Sequence, residues 1–396
     1  MSDVIVTESQ GDSDLEQFAA VGAESFGESR EHSLRWLVTA RDKTTVRLAR
    51  VKGVVVGGYV LMPAGQFFGG RSVPAQCVAA VSVHPEARRR GVAGTLMSDL
   101  VALAHEQGAA LAPLHAATTR LYRRSGWEVC DRSYAHVVQT RALTGFSGDG
   151  RLVRDPDAAE VEGLRRSFLS RWDGPLDRPD WWLSLEWDIG DPDDQKLKYG
   201  WQEDGAITGF VRYAQTRPGG PWMKVSVHEF IASTTNALRG LLGVLGSHDA
   251  QAPEVVFKQS SLPPIPELLY MIPDADKVID TRAFMCWMQR IVNLREAVQA
   301  RGWSAHANTA IEVQVSDPVR EGQERYVLEV SGGHGDLARG GSGGVQCGIG
   351  AFSAWYSGTL RARDAERLEL FRGRADDLAV MDTLIGDRDT WMPDYF

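Results

Sequence analysis

One stretch constrains this chain more than any other: residues 78–108, VAAVSVHPEARRRGVAGTLMSDLVALAHEQG. Val78, Val81 and Val83 predict a strand, ended by His84-Pro85. A basic turn follows, Arg88, Arg89, Arg90, with the small residues Gly91, Ala93 and Gly94 around Val92. Then Val92, Leu96, Leu100 and Leu103 recur at helical spacing and define one apolar face. The chain must therefore turn sharply from a strand into a helix. The first N–H groups of a helix have no intrahelical partner, and the helix dipole places partial positive charge there. Small residues let an anion such as a pyrophosphate approach the backbone, and arginines add permanent charge. "RRRG" alone would read as a solvated basic turn. The strand before it and the apolar helix after it turn the reading toward anion binding.

The rest of the chain follows a mixed pattern. β-branched runs in VIVTES and TTVRLARVKGVVVGGYVLMP predict strands, and SDLEQFAAVGAESF predicts a helix capped by Ser13 or Asp14. TGFSGDG at 144–150 marks a boundary. Beyond it, RLVRDPDAAEVEGLRRSFLSRW repeats strand, proline break and helix, and KLKYGWQEDGAITGFVRYAQT reads as a hairpin turning at Asp204-Gly205. MCWMQRIVNLREAVQARGW predicts one amphipathic helix over about 285–300, with Met288, Ile291, Val292 and Ala297 at helical spacing. SGGHGDLARGGSGGV lacks a lysine in phosphate-loop register and reads as a mobile hairpin loop. Two short helices are expected to close the chain.

Composition narrows the function classes. A formal charge of −9 argues against nucleic acid as the main partner. The polar, acidic start carries no secretory pattern, and no apolar run is long enough to span a membrane, so a cytoplasmic protein is expected. The four cysteines are widely separated and form no C-x-x-C pair, so neither a metal site nor a disulfide frame is expected.

The turn Arg88-x-x-Gly91-x-Ala93 resembles the acyl-CoA-binding motif of the GNAT superfamily. The resemblance implies that the backbone of 88–94 holds the pyrophosphate of acetyl-CoA. It also implies that main-chain groups of Val81 and Val83 pair with the pantetheine arm. LHAATTRLYRRSGWEV resembles the stretch in which that superfamily carries a tyrosine near the thioester sulfur, here Tyr122. Attack of an amine on a thioester expels a thiolate, and a phenol can protonate it. Ser125 stands where the superfamily often has Phe.

Over its whole length the chain resembles the Eis family of bacterial N-acetyltransferases. The fold class implied is mixed α/β: two GNAT-like domains followed by a sterol-carrier-protein-like α+β domain. The divisions expected are 1–145, 151–285 and 286–396. The second lacks the CoA motif, since LRGLLGVLG offers only Arg239. The resemblance implies a hexamer and assigns the carboxylate of Phe396, in the closing WMPDYF, as base or amine-orienting group. Trp391, Met392, Pro393 and Tyr395 would hold it. It places Phe26, Glu28, Trp36 and Asp394 around a cationic amine, aminoglycoside-like or polyamine-like. Protein-lysine acetylation and lipid binding by the third domain remain the alternatives.

Overall fold

A computed structural model describes residues 4–182, 196–217, 219–264, 266–284, 287–320, 322–385 and 387–396. The strands are β1 (Val4–Glu8), β2 (Thr45–Val51), β3 (Val54–Phe68), β4 (Arg71–Val83), β5 (Leu111–His115), β6 (Glu128–Val129) and β7 (Ser133–Gln139). They continue as β8 (Arg151–Arg154), β9 (Leu176–Asp177), β10 (Lys196–Glu203), β11 (Ala206–Thr216), β12 (Lys224–Ala232), β13 (Glu254–Phe257), β14 (Ile279–Phe284) and β15 (Trp287–Ile291). The last five are β16 (Asn308–Asp317), β17 (Gly322–Ser331), β18 (His334–Arg339), β19 (Val345–Gly348) and β20 (Phe371–Arg372). They form three sheets, ordered β1-β2-β3-β4-β5-β15-β6 with β9 on β3, β14-β7-β13-β12-β11-β10-β8, and β18-β17-β16-β19-β20.

The first two sheets share one plan. In each, antiparallel strands lead to one parallel pair, β4 with β5 and β12 with β13. The strand beside that pair comes from elsewhere in sequence. β15 lies beside β5, and β7 lies beside β13. The sheets therefore do not divide where 1–145, 151–285 and 286–396 would divide them. Ser133–Gln139 joins the second sheet and Trp287–Ile291 joins the first. Strand pairing is non-local, so no boundary signal such as TGFSGDG records this exchange.

The single helix expected over 285–300 is instead β15 followed, after Asn293, by the helix Leu294–Ala300; Met285 and Cys286 lie outside the described residues. All five residues of β15 are buried. A strand buried on both faces loses its alternation and can mimic helical spacing. Asn293 caps the helix through Glu296 N–H at 3.3 Å. The tract expected as a mobile loop contains β18, paired with β17 from Tyr326↔Arg339 to Ser331↔His334. Gly332 and Gly333 supply the two positive φ values of its tight turn. The first helix, α1 (Asp12–Phe26), starts one residue before the expected cap, and Asp14 reaches back to accept Gln10 N–H at 2.8 Å. The Asp204-Gly205 hairpin is present, with positive φ at both residues.

Packing joins the modules. α3 (Val92–Glu106) buries Val92, Leu96 and Leu100 on one face of the first sheet, and α1 and α2 (Arg30–Ala40) cover the other. The third core, built on Trp355, Tyr356 and Phe352, runs continuously into Phe68, Val73 and Ile291 of the first sheet.

Candidate active site

The anion turn is built as its residues dictate. Arg89 and Gly91 have φ of 63° and 84°, so Gly91 is needed to open α3 from a left-handed cap. Arg88 Nε donates to Val83 O at 3.1 Å and staples the turn to the end of β4. The first helical bond of α3 is Thr95 N–H to Gly91 O, and among the described residues no side chain caps the helix. The N–H groups of Val92, Ala93 and Gly94 thus stand before the hydrogen-bond ladder. A Cβ added at Gly91 or Gly94 would meet nothing within 4 Å, so the cradle is open. Asp99 fixes the helix to the sheet through Arg47 at 2.7 Å and the Tyr59 hydroxyl at 2.5 Å.

β4 carries a bulge beside this turn. Gly58 pairs with Ser82 and Val60 with Ala79, so Ala80 and Val81 face the single residue Tyr59. Ala80 takes the strain, with φ 53°. The parallel ladder with β5 reaches only Val78↔Leu114. Among the described residues, no strand pairs with that edge of 79–83; with Val83 O taken by Arg88, the main chain of Val81 and the Val83 N–H remain open to an extended ligand.

A cavity of about 380 Å³ opens at this point. Its wall includes Ala80, Val81, Tyr122, Phe26, Glu28, Trp36 and Phe396, gathering residues from β4, α1, α2, α4 (Thr119–Arg124) and the last segment. Tyr122 is buried, its ring edge-on to Trp127 at 6.1 Å, and burial pushes its phenol up to about 12. It therefore stays protonated at any physiological pH. Phe396 packs edge-on to Trp182 at 5.9 Å and against His115 at 5.1 Å. Phe26 is 46% exposed, and Glu28 accepts a long bond from Ser33 Oγ at 3.4 Å.

Asp394 departs from the sequence expectation. It is 1% exposed and lies outside the cavity wall. Its carboxylate is engaged by Arg165, by Arg178 at 2.5 Å and by Leu176 N–H at 2.7 Å. Burial raises its pKa, but the two guanidinium charges outweigh that and hold it below the usual carboxylate range. It is an anchor for the chain, not a ligand for an amine.

The sequence reading also passed over His115, the last residue of β5. Its Nε2 donates to Asp394 O at 2.8 Å, and its ring lies tilted against Tyr395 at 4.8 Å. Burial lowers its pKa, partly offset by that bond and by the charges of Asp131 and Asp394. The available signal was a lone histidine closing the apolar run LAPLH, seven residues before Tyr122. Arg290 was missed too. Fully buried on β15, it holds Ser125 O at 2.7 Å and Asp317 at 2.7 Å, tying the Tyr122 loop to the third sheet.

An uncapped helix N-terminus beside a strand bulge, with a buried tyrosine at the cavity behind it, suits a ligand that carries phosphate. Comparison with known proteins agrees. The acetyltransferase (GNAT) domain family matches residues 7–130 and, as a second such family, 174–295; the sterol carrier protein domain family matches 294–393. An uncharacterized N-acetyltransferase of Streptomyces griseus is 27% identical over 361 residues, covering 83% of each chain. A GCN5-related N-acetyltransferase from Kribbella flavida is 26% identical with a TM-score of 0.85, covering 100% of this chain and 99% of that one. Eis1 from Mycobacterium abscessus shares the fold, with a TM-score of 0.80 at 19% identity over 99% and 100% of the two chains. The chain is a GNAT N-acetyltransferase, Eis-like in its architecture of two GNAT domains and a sterol-carrier domain. GNAT domains use acetyl-CoA as acetyl donor. No helix among the described residues is long and apolar enough to cross a membrane.

Proposed function

We propose that the chain transfers the acetyl group of acetyl-CoA to a primary amine of a cationic small molecule, aminoglycoside-like or polyamine-like. The observation that carries this reading is the single cavity running from Val81 and Tyr122 to Glu28, Trp36 and Phe396. The backbone of 81–94 would hold the donor, with Arg89 and Arg90 exposed toward its phosphates. Glu28 would attract the amine by charge, and Phe26 and Trp36 by their ring faces. As the N–C bond forms and the C–S bond breaks, Tyr122 gives its proton to the sulfur, the amine proton leaves to solvent, and the Tyr122 phenolate takes a proton back from solvent. The carboxylate of Phe396, the last residue of this sequence, orients the amine. A cytoplasmic hexamer belongs to the same proposal. Trp222 and Tyr270, 58% and 81% exposed on the second module, are candidates for its interfaces.

The test is thiol release from acetyl-CoA over a panel of aminoglycosides, spermidine and lysine peptides. Turnover with the first two and not with the peptides is expected. Turnover with peptides alone favours a protein-lysine enzyme. A thermal shift with a fatty acid and none with acetyl-CoA favours lipid binding. Amidating Phe396 by ligation of a synthetic peptide is expected to cut turnover strongly; full activity with an unchanged melting temperature removes the carboxylate from the reaction.

A further inference from the structure

The second GNAT module touches the reaction from behind. Arg165, on α5 (Ala158–Leu169), grips Asp394 with one end of its guanidinium and Glu229 of β12 with the other, at 2.8 Å. Glu229 lies 3.7 Å from Arg212 of β11. Arg178 and Leu176 N–H, beside the strand that crosses to β3, hold the same Asp394 carboxylate. On its other side the Asp394 carbonyl accepts from His115, whose ring carries Tyr395 and Phe396. Trp391 is fixed too: its N–H bonds Asp173 O at 2.8 Å and its indole bonds Ser260 O at 3.0 Å. The last six residues are therefore seated by groups of the first and second modules, with a buried charge cluster on Asp394.

We propose that Arg165 and Arg178 are positioning residues for acetyl transfer: through Asp394 they set Phe396 and the cavity wall that receives the amine. The proposal rests on the acetyl-transfer reading above. It gives the second module a role in the reaction that needs no donor site of its own. The cluster touches neither the 88–94 turn nor Tyr122, so it acts on the acceptor and not on the donor.

The experiment compares Asp394→Asn, Arg165→Lys and Arg178→Lys with Asp382→Asn. Asp382 is another buried acid, in the third module, paired with Arg363 at 2.8 Å and outside the cavity wall. Steady-state kinetics are read for both substrates, with hydrogen exchange of the peptide covering 391–396, well below every melting point. Asp394→Asn is expected to lower kcat/KM for the amine by about tenfold or more, since displacements near 1 Å matter at this scale. KM for acetyl-CoA is expected to stay within about twofold, and exchange in 391–396 to rise. The lysine variants, which keep the charge but lose the fork, are expected to fall between. Asp382→Asn is expected to lower the melting temperature and leave the amine kinetics and the tail exchange unchanged. Faster exchange in Asp394→Asn with parental kinetics overturns the proposal, as does an equal loss for both substrates. If Asp394→Asn does not fold, the lysine variants decide by the same two readouts. Absence of thiol release from the parent chain overturns the acetyl-transfer reading instead, and unchanged exchange in 391–396 then overturns the clamp separately.

Discussion

β4 and β12 hold the same place in two sheets of the same plan, and each leads into a helix, yet the two junctions have opposite chemistry. At the first, α3 opens on Gly91 with no side-chain cap, and a Cβ at Gly91 or Gly94 would meet only open space. At the second, the helix Thr235–Gly246 is closed on itself. Thr234 Oγ1 accepts Ala237 N–H at 2.9 Å. The Glu203 carboxylate lies across the first turn, accepting from Thr234 at 2.6 Å and Asn236 at 2.9 Å. Trp201 lies so close to Gly240 that a Cβ there would sit 2.5 Å from its ring. Burial raises the Glu203 pKa, but hydrogen bonds from Thr208, Thr234 and Asn236 hold it below its ordinary value. A helix N-terminus favours one anion. In the second module the Glu203 carboxylate stands at that end, held by the side chains of Thr234 and Asn236, whereas the first places no acidic side chain in its first turn. On the reading proposed above, the duplicated fold keeps one donor site and the other copy serves as scaffold.

The largest effect that would sharpen this contrast is at Tyr122, on the open side. Tyr122→Phe keeps the ring and removes the proton donor, so kcat is expected to fall by about 10²–10⁴ with KM for acetyl-CoA unchanged. Parental turnover would reduce Tyr122 to packing. Next is Gly91→Val. A β-branched residue at φ 84° costs roughly 1–2 kcal/mol and fills the cradle, so KM for acetyl-CoA is expected to rise about tenfold or more. Arg239→Ala, at the closed junction, is expected to change neither constant; equal effects at Gly91 and Arg239 would erase the comparison.

How much of this was legible follows from the range of each interaction. The α3 junction could be read because its signals are local: a strand, a turn that needs glycine, and apolar residues at spacings of 4, 4 and 3. Phe26, Glu28, Trp36, Tyr122 and Phe396 do line one cavity, and they were placed there by resemblance alone. The exchange of β7 and β15 could not be read, because hydrogen bonding across a sheet leaves no mark on either strand's own sequence. Asp394 was misread for a similar reason. Its acidic character is visible in WMPDYF, but Arg165 and Arg178, which neutralise it, lie more than 200 residues earlier. The closed junction was half legible. The missing motif was clear, whereas the placement of Glu203 at the helix end depends on a hairpin folding over it.

Two smaller effects refine the contrast. Glu203→Gln removes the resident charge from the closed junction and is expected to lower the melting temperature by only about 1–3 °C, without creating donor affinity. A second donor bound by that variant would show that Glu203 alone closes the site. The smallest effect is expected at His115. Its pKa is lowered in the folded chain, so the unfolded chain binds the proton more readily. Its contribution is complete above the unfolded value, about 6.5, and is lost as pH falls through the lower folded value. The difference in melting temperature between the parent and His115→Gln is therefore expected to shrink as pH drops below that range. A difference constant from pH 8 to pH 5 would contradict it.

The central claim is that two copies of one fold carry one donor site, at residues 81–94. Calorimetric titration of the intact chain with acetyl-CoA tests it most directly. The account predicts one acetyl-CoA bound per chain, with binding lost or strongly weakened in Gly91→Val and unchanged in Arg239→Ala. Two bound per chain, or one whose affinity Gly91→Val leaves intact, would contradict it.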